Sequence, residues 1–170
     1  LAFPALAVLL GYSYAKRFTF TAHYIVGVAL AIAPAGAWIA VADSLSPQIL
    51  TLSLALLFNI ASFDLIYALQ DMEFDKSHKL HSIPAKFGRK ITLILSGISF
   101  VVATICLIAT GVLFDLNKFY FICVAIIAVL YAIGEFAICK YGETKTQLVF
   151  FYENVAISLL IFIGIVSNIL

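Results

Sequence analysis

The feature that most constrains this chain is a series of five long apolar runs. They cover residues 22–42, 49–69, 91–111, 118–139 and 148–169. Each has close to the roughly 20 residues that an α-helix needs to cross the hydrocarbon core of a bilayer. In lipid every backbone N–H and C=O needs an internal partner, so spanning segments are helices or closed barrels. The runs do not alternate as barrel strands do. The sequence therefore predicts an all-α, polytopic transmembrane helical bundle.

Composition agrees with lipid as the main solvent. Of 170 residues, 64% are hydrophobic and 11% are charged, and the mean hydropathy is +1.13, whereas soluble domains are about half apolar. Residues 1–14 are apolar but short, with neither an initiator Met nor a basic stretch before them. We therefore expect one N-terminally truncated transmembrane domain, residues 1–170, whose first partial span is 1–14. The bilayer is an expected partner, and a nucleic acid is not.

Positive charge gathers on one side of the predicted bundle. Because Lys and Arg are retained on the cytoplasmic side of a membrane, that side is predicted to be cytoplasmic and the C-terminus to lie opposite. We expect the membrane to be a bacterial inner membrane. Only Lys118 falls on the other side. The nine basic residues of the first side are Lys16, Arg17, Lys76, Lys79, Lys86, Arg89, Lys90, Lys140 and Lys145.

Other chemistry-bearing side chains lie within the apolar runs. Cys106, Cys123 and Cys139 are too far apart in sequence for a metal-ligand spacing, and we interpret them as small buried hydrophobes. Glu135 and Glu153 lie near the cytoplasmic ends of their spans. Intramembrane acids are often functional, but side chains near a helix end can also reach water. The roles of these two glutamates stay open.

The stretch from Asp64 to Asp75 is the most informative one. At about 100° per residue, a continuous helix places Asp64, Tyr67, Asp71 and Asp75 on one face. Asp71, Glu73 and Asp75 could be a solvated helix end, neutralised by nearby lysines. They could also hold Mg²⁺, which favours one or two carboxylates plus phosphate oxygens. Asp64 lies about 10 Å deeper than Asp71, where a charge is costly without a partner or cavity, and this favours the second interpretation.

A second polar cluster, Tyr12 to Arg17, lies at the same predicted level. Tyr12 and Lys16 are four residues apart at a helix end, so a phenol and an ammonium point the same way. Interfacial anchoring by Tyr and Lys is one interpretation. Beside the acidic stretch, Lys16 and Arg17 are also candidates to bind a diphosphate.

These motifs resemble those of the UbiA superfamily of intramembrane aromatic prenyltransferases. The stretch from Tyr67 to Asp75 matches the family's Y-A-x-x-D-x-x-x-D motif, and that from Tyr12 to Arg17 matches its Y-x-x-x-K-R motif. Asn154 is similar to an Asn near the start of the family's last helix. The resemblance implies the C-terminal part of a nine-helix bundle. The family's first motif, N-D-x-x-D-x-x-x-D, is absent from the printed sequence, so we expect these 170 residues alone to be inactive.

The resemblance also implies an activity: Mg²⁺-dependent transfer of a polyprenyl group from polyprenyl diphosphate to an aromatic acid in quinone biosynthesis. The expected acceptor is of the 4-hydroxybenzoate type. The implied roles are metal binding by Asp71 and Asp75 and diphosphate binding by Lys16 and Arg17. Tyr12 and Tyr67 would line the cation site, and Asp64 would orient a basic partner or the acceptor; these three are the expected catalytic residues.

Two alternatives stay open at this point. The motifs are also similar to a branch that prenylates a dihydroxynaphthoate in menaquinone biosynthesis. An ion-coupled secondary transporter is a different class, in which Asp64, Glu135 and Glu153 would form a relay. Transporters tend to place such charges near the midplane. The polar clusters here gather at one face, which favours the enzyme.

Overall fold

The computed structural model describes residues 2–142, residue 146 and residues 149–168, without the side chains of residues 2, 4, 5, 9, 12, 13, 149 and 150. A π-helical turn, Val149–Glu153, precedes the last helix. The α-helices are α1 (Ala2–Ala15), α2 (Ala22–Ala42), α3 (Pro47–Ala68), α4 (Met72–Ser77), α5 (Ile83–Leu113), α6 (Lys118–Tyr141) and α7 (Asn154–Val166).

Four of these helices, α2, α3, α5 and α6, are long and apolar enough to cross a membrane. The apolar stretch at the end of the described chain, Phe151–Val166, is shorter. The predicted all-α, polytopic transmembrane fold is confirmed.

Local sequence explains where several helices begin. Pro47 and Pro84 each lie in the first turn of a helix, where the missing N–H costs nothing. Ser82 and Asn117 precede their helices, and their side chains accept hydrogen bonds from the backbone N–H groups of Ala85 and Tyr120, respectively. These caps fix the ends of α5 and α6.

Helix α3 lies at the centre of the bundle and packs against both α2 and α5. On the α5 side, the rings of Phe63 and Phe100 meet edge to face at 5.1 Å, and Phe100 stacks on Tyr131 of α6 at 4.1 Å. On the α2 side, a Cβ at Gly27 would lie 2.5 Å from the Leu57 carbonyl oxygen. Close backbone approach between apolar helices in a membrane requires small residues at this kind of contact.

Connectivity brings several termini to one end of the bundle, here called the basic end. The end of α1, the start of α2, the end of α3, helix α4 and the start of α5 meet there. The end of α6 joins them, because Arg89 Nη2 donates to the Ile138 carbonyl oxygen at 2.7 Å. At the opposite end, Asn117 N–H donates to Asn168 Oδ1 at 2.6 Å and ties α6 to the residues after α7.

One expectation about the acidic stretch is wrong. The sequence pattern predicted one helical face from Asp64 to Asp75, but α3 ends at Ala68 and α4 begins at Met72. The amides of Gln70 and Asp71 bond to carbonyls three residues earlier, in a tightened turn. A helical repeat in sequence indicates which residues share a face and does not reveal where the helix ends.

Candidate active site at the basic end

An ion pair joins the two motifs that sequence analysis singled out. Lys16 Nζ lies 3.4 Å from Asp75 Oδ2, although the residues are 59 positions apart. The backbone reinforces the contact, since the His81 N–H donates to the Lys16 carbonyl at 2.6 Å. The Leu80 N–H also donates to the Asp75 carbonyl, at 2.8 Å. The loop after α4 is therefore fastened to the end of α1.

The carboxylates of this site differ sharply in environment. Asp75 is 1% exposed and depends on Lys16 for its charge partner. Asp71 is half-buried, and its carboxylate makes no hydrogen bond or ion pair with any side chain or amide of the described chain. Glu73 points outward, with a 79% exposed side chain that accepts from Lys76 Nζ at 2.8 Å. Thus the solvated-end interpretation fits Glu73 and does not fit Asp75.

The acid pair suits half of a magnesium site. Within the described residues, no group of three or more His, Cys, Asp or Glu side chains converges as a metal site would require. Mg²⁺ commonly uses only one or two carboxylates and completes its coordination with water and substrate phosphates. Asp71, whose carboxylate has no partner among the described residues, and Asp75, four residues later on α4, could provide those two carboxylates.

Two of the remaining predicted residues, Arg17 and Tyr67, have described side chains. Arg17 is exposed and its guanidinium lies 5.4 Å from the centre of the Tyr14 ring. Tyr67, the next-to-last residue of α3, is 39% exposed. The side chain of Tyr12 lies outside the described part of the structure.

Three other cations of the basic loop have partners elsewhere. Lys86 lies 3.9 Å from the centre of the Phe20 ring. Arg89 donates to the end of α6, and Lys76 pairs with Glu73. The basic loop therefore offers fewer cations without a partner than its charge count suggests.

The partner of Asp64 is a residue that sequence analysis did not select. His23, at the start of α2, is 0% exposed, and its Nδ1 donates to Asp64 Oδ2 at 2.7 Å. We expected Asp64 to orient either a basic partner or the acceptor, and in the structure it has a basic partner, His23. A His in the first turn of an apolar span was the available signal.

The cysteines and intramembrane glutamates lie apart from this site. Cys123 is buried, Cys106 is half-buried and Cys139 is exposed, so the expectation of burial is wrong for Cys139. Glu135 and Glu153 each have one buried carboxylate oxygen with no hydrogen-bond partner within the part of the chain described. They lie where the π-helical turn meets α6, against Gly134 and Gly97.

The fold and site together define a membrane-spanning helical bundle with an acid and base cluster at one end. Residues 1–162 match the UbiA prenyltransferase family, which is nearly the whole chain. The chain belongs to the UbiA prenyltransferase family, as the resemblance of its motifs predicted.

Individual relatives agree with this assignment. The chain is 32% identical over 173 residues to the 4-hydroxybenzoate octaprenyltransferase of Stutzerimonas stutzeri (strain A1501), covering 99% of this chain and 56% of that protein. It is 29% identical over 163 residues to the enzyme of the same name from Francisella tularensis subsp. novicida (strain U112), covering 96% and 57%. The chain therefore spans a little over half the length of these curated relatives.

A solved structure shows the same fold. The apo structure of a UbiA homolog from Aeropyrum pernix K1 superposes with a TM-score of 0.84 at 29% sequence identity. The match covers 98% of this chain and 62% of that one. The helix arrangement described above is thus the arrangement of a UbiA fold.

Proposed function

We propose that the full-length protein transfers a polyprenyl group from polyprenyl diphosphate to an aromatic acid of the 4-hydroxybenzoate type, with Mg²⁺ as cofactor. The observation that carries this proposal is the Lys16–Asp75 pair together with the carboxylate of Asp71, four residues earlier, which has no partner among the described residues. One cation and two carboxylates at the basic end of a transmembrane bundle suit a metal–diphosphate better than an apolar ligand. Family membership and the names of the relatives support the same activity.

In this proposal Asp71 and Asp75 hold the metal. When bound, Mg²⁺ supplies positive charge that stabilises the departing diphosphate. Asp75 is fixed by Lys16 and by the backbone of α4, whereas Asp71 has its carboxylate available. Asp75 would therefore be the rigid ligand of the metal, and Asp71 the accessible one.

Lys16 and Arg17 bind the diphosphate oxygens. An ammonium has three N–H donors, and the side chain of Lys16 is 33% exposed. One donor can thus meet Asp75 while another meets a phosphate oxygen. Arg17 is exposed one residue further, and a guanidinium recognises phosphate with paired donors.

The protein's contribution to the reaction is positional and electrostatic. The C1–O bond of the prenyl diphosphate breaks and its electron pair leaves with the diphosphate. The ring π electrons of the acceptor form the new bond to C1, and the ring then loses a proton. Tyr67 and Tyr12 are proposed to line the cation with aromatic faces, which attract positive charge. The lipid-facing helices keep water away from it.

We also propose that the basic end faces the cytoplasm of a bacterial inner membrane and that the C-terminus lies opposite. Of the nine Lys and Arg residues in the described part of the chain, eight lie in loops and helix ends of that side. Labelling of single cysteines placed at residue 79 and at residue 115 tests this orientation. A reagent confined to the periplasm should modify only the second.

A reconstitution assay tests the activity itself. Full-length protein is incubated with radiolabelled polyprenyl diphosphate, Mg²⁺ and either hydroxybenzoate or dihydroxynaphthoate. We expect Mg²⁺-dependent product with hydroxybenzoate, loss of product in Asp71→Ala, and normal product in the control Glu73→Ala on the same helix. Absence of product, or full activity of Asp71→Ala, refutes the transferase proposal. Preference for the naphthoate would reassign the acceptor. The 170 residues by themselves should show no turnover.

A further inference from the structure

A buried histidine holds one oxygen of the Asp64 carboxylate. His23 on α2 is 0% exposed, and its Nδ1 lies 2.7 Å from Asp64 Oδ2 on α3. The side chain of Asp64 is 34% exposed. Its second oxygen, Oδ1, accepts no hydrogen bond from the described residues. The carboxylate thus has one fixed oxygen and one that is available to a ligand.

The contact depends on close packing of α2 against α3. Gly27, one turn after His23, faces the Leu57 carbonyl so closely that a Cβ would lie 2.5 Å from its oxygen. Nε2 of His23 is buried with no hydrogen-bond partner within the described ranges. A carboxylate only accepts hydrogen bonds, so we assign the proton to Nδ1. His23 therefore acts as a donor that is built into the helix interface.

The available oxygen lies deeper than the diphosphate site. Asp64 precedes the end of α3 by four residues, about 6 Å at 1.5 Å per residue. The Lys16–Asp75 pair lies beyond that end, on the next helix. In the proposed reaction the diphosphate binds at this pair and the reacting carbon lies below it. An acceptor ring that meets this carbon would therefore lie near the depth of Asp64.

We propose that Asp64, positioned by His23, accepts a hydrogen bond from the ring hydroxyl of the aromatic acceptor and so selects hydroxylated acids. This inference rests on the proposed function. A hydrogen bond from the hydroxyl to a carboxylate increases electron density in the ring, which makes the adjacent ring carbon a better nucleophile. The negative charge of Asp64 also repels the acceptor's own carboxylate, so the ring binds with its hydroxyl inward. Asp64 touches the substrate, and His23 is a positioning residue.

The test compares a hydroxylated aromatic acid with the same acid lacking the hydroxyl, in the full-length protein. The affinity for the hydroxylated acid is measured as its KM, and that for the analogue as its inhibition constant against the hydroxylated acid. The inhibition constant of the analogue divided by the KM of the hydroxylated acid is the discrimination for the hydroxyl. In His23→Leu we expect this discrimination to fall about tenfold, the scale for one hydrogen bond to a charged group. His23→Asn places an amide N–H where Nδ1 stands, and should restore most of it.

Two further variants separate this role from a purely structural one. Asp64→Asn keeps the size of the side chain but removes its charge, and should lose the same discrimination even if His23→Leu folds poorly. His78→Leu, in the exposed loop after α4, is the matched control and should behave as wild type. The KM for polyprenyl diphosphate should change less than about threefold in every variant, because the diphosphate site is separate.

The outcomes are distinguishable. Unchanged discrimination in folded Asp64→Asn overturns the selection role and leaves the transferase proposal intact. An equal loss of affinity for the hydroxylated acid and for its analogue in His23→Leu does the same. Failure of the wild-type protein to prenylate any aromatic acid overturns the proposed function, and the inference with it. Loss of discrimination in Asp64→Asn and in His23→Leu, with most of it retained in His23→Asn, establishes the inference.

Discussion

The ammonium of Lys16 lies 3.4 Å from the carboxylate of Asp75, and Asp75 is 1% exposed. This contact joins the end of α1 to α4 and links two motifs that are 59 residues apart. A buried carboxylate without a partner is strongly destabilising. The pair therefore has a structural role in addition to its proposed role at the diphosphate site.

Lys16→Met should destabilise the protein by about 1–3 kcal/mol, since it leaves Asp75 buried and unpaired. The value lies below that for a fully buried pair because Lys16 is one-third exposed. Thermal unfolding in detergent measures the change. The double variant Lys16→Met/Asp75→Asn should be more stable than Lys16→Met alone. A double variant that is less stable would contradict this interpretation of the contact.

Asp71→Asn should lower prenyl transfer at least about a hundredfold, which is the scale for removing one transition-state charge contact. Its thermal stability should stay near wild type, because Asp71 has no side-chain partner in the part of the chain described. Raising the Mg²⁺ concentration should recover part of the activity. Glu73→Gln is the control and should retain full activity. Equal losses in the two variants would indicate a general charge effect.

Arg17→Met should raise the KM for polyprenyl diphosphate about tenfold, the scale for losing one charge-assisted hydrogen bond. Stability should not change, because the guanidinium is exposed and its contact among the described residues is with the Tyr14 ring. Lys140→Met is a matched control: it removes another exposed cation that lies 5.2 Å from an aromatic ring, that of Tyr141. The KM of Lys140→Met for polyprenyl diphosphate should not change. Steady-state kinetics over a range of diphosphate concentrations distinguish the two.

Gly27→Ala should destabilise the bundle by about 1–3 kcal/mol, the usual cost of forcing an extra carbon into a packed interface. The obstacle is the Leu57 backbone, 2.5 Å from the new Cβ, and backbone cannot move aside as a side chain can. Gly36→Ala on the same helix meets nothing within 4 Å and should be neutral or slightly stabilising. Thermal unfolding of both variants is the measurement. Equal effects would show that helix propensity, and not the α2–α3 contact, controls stability.

Much of the site was predictable because its motifs are local in sequence. The spacing of Asp71 and Asp75, and of Lys16 and Arg17, is visible in the residues themselves. The family resemblance of these motifs was confirmed by the match over residues 1–162. Their roles in metal and diphosphate binding stay predictions. The turn after Ala68 was missed, because hydrophobic periodicity indicates which residues share a helical face and does not indicate where the helix ends.

The sequence by itself determined that this chain is a membrane-embedded helical bundle. Apolar runs of this length are stable as helices in lipid, where every backbone polar group is hydrogen-bonded within the helix. It also determined the family, through motifs whose residues lie within one or two helical turns. Only the tertiary structure decided which charges meet. The pairing of Lys16 with Asp75 and of His23 with Asp64 depends on how α1, α2, α3 and α4 pack, and a linear sequence carries no direct record of contacts between distant segments.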